Sequence, residues 1–281
     1  SLAQIQALGT SGITALTSAQ IQALDTTDVT NLTSAQVGAL SSSQIAALTS
    51  SQIAGLEVAD MGALTSAQVK ALSAVTIGAL SSSQIQKLTS TQLQALTSTQ
   101  IQALGTSGIN QLTTAQISTL SANNVASLSS AQIINLSSAL FNNLSSSQIG
   151  SISTAALSSL SSDQLQAFGT TGASALSATQ INALGSSGIN KLSAAQLATL
   201  STSAVNTLST AQISALGTTN IGSLSSTQLR ALSSAAINTL SSAQVAQLDT
   251  KIATLTSNQI SAIATAVVKE LSLAQIQALG C

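Results

Sequence analysis

Hydroxyls are the most abundant reactive groups of this 281-residue chain, because Ser or Thr fills most of two positions in every eight. A hydroxyl becomes a nucleophile only when a neighbouring base takes its proton. The chain has no His, and its only lysines are Lys70, Lys87, Lys191, Lys251 and Lys269. The hydroxyls are therefore expected as helix caps and solvated surface, and an enzyme is not expected. Seven acids, Asp25, Asp28, Glu57, Asp60, Asp163, Asp249 and Glu270, fall mostly at the first or fourth place of an eight-residue pattern. A carboxylate there caps a helix and complements its dipole. Asp25/Asp28 and Glu57/Asp60 are paired across one turn, which offers weak Ca²⁺ binding as the alternative to capping. Capping is the expectation, with no metal site and no cofactor.

Other chemistry is excluded more simply. One Cys, Cys281, makes neither an internal disulfide nor a zinc cluster, and is expected to be incidental or a cross-linking point. Asn31, Asn135 and Asn143 open N-glycosylation sequons, which arise easily by chance in such repeats. A net charge of −1 with 5% charged residues leaves no basic surface for nucleic acid. No run of about 18 apolar residues is present to span a bilayer, and no signal peptide is visible.

The positioning elements follow from a repeat that covers the whole chain. Cut every eight residues, the sequence reads SLAQIQAL, GTSGITAL, TSAQIQAL and onward, giving 35 units, one of them shortened at 249–255. Position 8 is Leu except at Ile152, Phe168 and Ile263, and position 5 is Ile, Val or Leu except at Met61, Phe141 and Ala173. These two positions supply a thin, continuous core, with the exceptions as bulky or small fillers. Both ends are ordinary repeats, since SLAQIQAL recurs at 272–279, so both are expected to offer stackable faces.

A second period lies within the first. Every odd unit carries Gln at position 4: Gln4, Gln20, Gln36, Gln52, Gln68, Gln84, Gln100, Gln116, Gln132, Gln148, Gln164, Gln180, Gln196, Gln212, Gln228, Gln244, Gln259 and Gln275. Among even units only Gln44 and Gln92 match. This 16-residue alternation predicts a structural unit of two non-equivalent halves. Stacking would align the Gln side chains in a structural column, and amides exchanging hydrogen bonds between neighbours would form an axial ladder.

The backbone that suits an octad is a short capped helix. Eight residues in two turns would need 4.0 per turn, far from 3.6, so an unbroken helix is excluded. Positions 5 and 8 differ by an odd number, so strict strand alternation fails. In Leu16-Thr17-Ser18-Ala19-Gln20-Ile21, Thr is an N-cap, Gln three places on completes a capping box, and Leu and Ile form a hydrophobic staple. Gly at position 1 of several even units (Gly9, Gly105, Gly169, Gly185, Gly217) suits the place just after a helix end. The fold expected is an all-α solenoid of very short helices, 8 residues per helix and 16 per coil, continuous over 1–281 as a single domain. The alternative is a two-sided β-solenoid with 16-residue coils.

The unit Leu16-Thr17-Ser18-Ala19-Gln20-Ile21-Gln22-Ala23-Leu24 resembles the LTxxQIxAL repeats of very large bacterial proteins, mainly proteobacterial, adhesin-like or secreted at the cell surface. The similarity covers essentially the whole chain and implies an extracellular structural or adhesive spacer. The function expected is a non-enzymatic structural repeat protein, a rod, stalk, filament or surface-layer component that associates with itself end to end. The alternative is an adhesin module that binds a repetitive surface such as glycan.

Overall fold

The computed structural model describes residues 2–280; Ser1 and Cys281, whose cross-linking role was considered above, lie outside the described residues. Every regular element among them is helical: a succession of α-helices of four to seven residues, with one 3-10 helix at Asp249–Thr254. No described residue lies in a strand, so the β-solenoid is excluded. Each helix occupies one octad, and the all-α solenoid of short capped helices is the fold.

The corners form as the capping chemistry dictates. At the helix Ser66–Ala71, Leu72 ends the helix with φ −61° and ψ 141°, and Ser73 continues extended at φ −66° and ψ 156°. Two extended residues therefore separate each helix from the next. The cap hydroxyl accepts from the N3 amide, and the N3 Gln returns the bond to the cap amide; this reciprocal pair is present in odd units from Thr17 to Ser272. Positions 5 and 8 then face inward together. Ile101 is fully buried and Leu104 nearly so, and the fillers Met61, Phe141, Ala173, Ile152, Phe168 and Ile263 are buried as well.

The stacking period is not 16 residues. Helices pack against the helix three units away: Thr26–Thr30 on Ser50–Gly55, Ser66–Ala71 on Ser90–Ala95, and Gly185–Ile189 on Thr210–Ala215. A coil therefore contains three helices and 24 residues, and the expected 16-residue coil is corrected. The physical reason is the corner. Two corners per coil would each have to reverse the chain, which two extended residues do not do; three corners share the full turn between them. The 16-residue period survives as an alternation of Gln and non-Gln units, superposed on the 24-residue coil.

The chain divides into two compact units, Ser1–Asn143 and Leu144–Cys281. In each, the core lies along the middle of the stacked coils and is built from positions 5 and 8. The first holds the helices from Leu2–Ala7 to Ser138–Phe141, and the second those from Ser146–Gly150 to Leu273–Leu279.

Two local departures follow backbone rules. Gly9, Gly105, Gly169 and Gly185 have φ between 60° and 64°, the left-handed region in which a Cβ is disfavoured. The residue before each stays helical, so the corner shifts by one place. Gly217 differs: it is extended at φ −64° and ψ 161° and serves as an N-cap, so the expectation for it is corrected. In the shortened unit, Asp249 takes the left-handed place with φ 50°. The rest of that unit is a 3-10 helix. Its rise of about 2.0 Å per residue, against 1.5 Å for an α-helix, lets seven residues span what eight normally do.

Candidate functional site

The polar residues that the fold gathers are those at the corners, and Gln at position 4 dominates them. Its side chain bridges two coils. In Gln100, Oε1 accepts from the Thr97 amide at 2.9 Å and the Gln100 amide donates to Thr97 Oγ1 at 3.3 Å, which closes the cap. Its Nε2 donates to the carbonyls of Val69 at 3.1 Å and Leu72 at 2.7 Å, at the corner one coil below. Those carbonyls belong to the last turn of a helix, where intrahelical donors run out. One amide thus answers the start of its own helix and the end of another.

The arrangement recurs along both units. Gln44 reaches Ile13 and Leu16, Gln52 reaches Ile21 and Leu24, and Gln68 reaches Val37 and Leu40. In the second unit Gln180, Gln228, Gln244 and Gln259 do the same. Where a left-handed Gly shifts the corner, the second bond shifts with it: Gln132 bonds Ile101 and Gly105, and Gln196 bonds Leu165 and Gly169. Gln148 and Gln164 hold the same capping place. Gln20 caps Thr17 but is exposed. The column therefore stands, and the bonding within it is corrected: the amide donors go to main-chain carbonyls of the coil below. The 24-residue coil explains this, because a Gln unit always stacks on a unit from the other half of the alternation.

A second set of bonds ties coils in the opposite direction. Side chains at position 6 donate to the position-7 carbonyl one coil on: Gln94 to Thr119, Gln102 to Ser127 and Asn110 to Asn135.

The exceptions at position 4 carry the remaining chemistry. Counted back from Leu255, the shortened unit places Lys251 immediately before Ile252, in the Gln column. Its Nζ donates to the carbonyls of Gly222 and Leu224, so an ammonium takes the amide's place. At Gly188, which has no side chain, Lys191 from the next turn donates to Leu160 O at 2.7 Å. Sequence reasoning missed both lysines; for Lys251 the signal was its alignment with the column once the deletion is placed before it.

Shorter residues at position 4 leave recesses over the corner below. One lies at Asn124 over Leu96 and Thr97, one at Gly108 over Leu80, and one at Asp60 over Leu32 and Thr33. The two carboxylate pairs thereby separate in role. Asp25 caps its helix, accepting from the Asp28 amide at 2.7 Å. Glu57 makes no capping bond, and Asp60 is 1% exposed with Oδ2 lacking any hydrogen-bond partner. Among the described residues no group of three or more His, Cys, Asp and Glu side chains is gathered, and no helix is long and apolar enough to cross a membrane.

The comparisons agree with the repeat. No curated protein matches the chain. The family described as the ALTTAQ repeat matches six times, over residues 21–58, 53–90, 77–106, 85–122, 189–226 and 221–250. Together these matches cover more than half of the sequence, and their overlap follows the octad register. The chain belongs to the ALTTAQ repeat family.

Proposed function

We propose that this chain is a non-enzymatic structural repeat protein, a stalk, filament or surface-layer component at the cell surface that works through length and self-association. The observation that carries the reading is the use of its polar groups. The conspicuous side-chain amides hold one coil on the next, as Gln100 does through Thr97, Val69 and Leu72. The hydroxyls at position 1 cap helices and have no His beside them to act as a base. A low charge content opposes association only weakly. The resemblance to bacterial surface repeats supports an extracellular setting.

Electron microscopy of the purified chain over a concentration series, with light scattering in parallel, tests the proposal. Fibres or sheets that grow with concentration are expected. Particles that stay monomeric throughout and bind polysaccharide would replace this reading with the adhesin one.

A further inference from the structure

The corner carbonyls attract positive partners throughout the molecule. At most corners the partner is a Gln amide; above Gly222 and Leu224 it is the ammonium of Lys251. At Asp60 the polarity is inverted. By register Asp60 stands where Gln84 or Gln100 stand in their units, with Val29 and Leu32 in the carbonyl places below. A carboxylate is an acceptor facing acceptors, and burial deprives it of water.

The local bonding does not resolve this. Asp60 Oδ1 accepts from Ser34 Oγ at 2.6 Å, which answers one oxygen. Oδ2 is buried and has no partner. Glu57, three residues earlier, lines the same recess and makes no capping bond, although it occupies the N-cap place. Thr30, Asn31, Leu32, Thr33 and Ser34 supply the floor, in a recess of about 430 Å³. Two carboxylates, hydroxyls and main-chain carbonyls thus converge with no cation among the side chains lining the recess. The paired acids Asp25 and Asp28 lack this arrangement, because Asp25 is used as a cap.

We propose that the recess formed by Asp60, Glu57 and the Leu32–Thr33 corner binds a calcium ion, which serves as the positive partner that Gln or Lys provides at other corners. The ligand chemistry is hard oxygen, and Ca²⁺ accepts six to eight such ligands in flexible geometry, carbonyls and waters included. Mg²⁺ requires near-ideal octahedral geometry and sheds its waters reluctantly, so it suits an irregular corner less well. With two carboxylates the affinity falls in the weak range, a Kd on the order of 10⁻⁴–10⁻³ M.

Calorimetric titration of the whole chain with calcium chloride, paired with thermal unfolding followed by circular dichroism, tests the site. The parent protein is expected to bind one ion saturably and to unfold at higher temperature in about 10 mM Ca²⁺, by mass action. Asp60→Gln restores the column residue, so it is expected to fold at least as stably as the parent and to lose calcium binding. Glu57→Gln is expected to weaken binding about tenfold while leaving the spectrum unchanged. Absence of saturable calcium binding by the folded parent, or undiminished binding by folded Asp60→Gln, would overturn the proposal. Equal affinity for Mg²⁺ would overturn the assignment to calcium.

Discussion

The side-chain amide of Gln100 donates to the carbonyl of Leu72, 2.7 Å away and 28 residues earlier in the chain. That bond crosses from one coil to the next, while the other end of the same side chain closes the cap on Thr97. Removing Gln100 therefore breaks two kinds of contact at a buried place. Gln100→Ala is expected to cost about 2–3 kcal/mol, since it strands a buried donor and buried acceptors. Gln20→Ala removes a cap from an exposed residue and should cost about 1 kcal/mol. Urea unfolding of the two variants compares them directly; equal losses would mean that the bond between coils contributes nothing.

Gly105 and Asp249 share a left-handed backbone, at φ 64° and 50°. No atom lies within 4 Å of a Cβ built on Gly105, so strain alone sets the cost of Gly105→Ala, about 1–2 kcal/mol. Asp249→Gly removes the same strain and should stabilise by about 0.5–1 kcal/mol. Opposite shifts in the thermal midpoint are the expected signature.

Gly62 and Gly78 both occupy position 6 of a helix, yet they face the next coil at different separations. A Cβ on Gly78 would lie 2.8 Å from the carbonyl oxygen of Ala103, whereas one on Gly62 would lie 3.8 Å from that of Lys87. Gly62→Ala is thus an ordinary contact and should stabilise by up to about 1 kcal/mol through helix propensity. Gly78→Ala pushes against main chain and should destabilise. Thermal unfolding of both variants in one buffer decides whether coil spacing is as rigid as this contrast requires.

Six basic and seven acidic residues give screening little to act on. The midpoint of thermal unfolding, measured without calcium, is expected to move by less than about 2 °C between roughly 0.05 and 1 M sodium chloride. A larger movement would point to charge interactions that the composition does not suggest.

Much of this fold was legible in the sequence because capping chemistry is local. Thr97 followed three places later by Gln100, with Leu96 before and Ile101 after, specifies a helix start without reference to the rest of the chain. The number of helices per coil was not legible. It depends on how far Leu72 and Ser73 turn the chain, and their residue types do not encode that angle. The Gln alternation suggested a 16-residue coil because a sequence period is naturally taken as the stacking period. Lys251 was hidden by the shortened unit. Asp60 looked like an ordinary capping acid because nothing in the sequence says that position 4 is buried.

The disagreement between a pattern that repeats every 16 residues and a coil that closes every 24 has a consequence for how such a chain grows. Three is odd, so a unit of one kind always rests on units of the other kind. A duplicated pair of octads can then enter anywhere and leave this parity intact, even though it adds only two-thirds of a turn. Length is free to drift in small steps during replication, like a knitted row that accepts an extra pair of stitches without spoiling the weave.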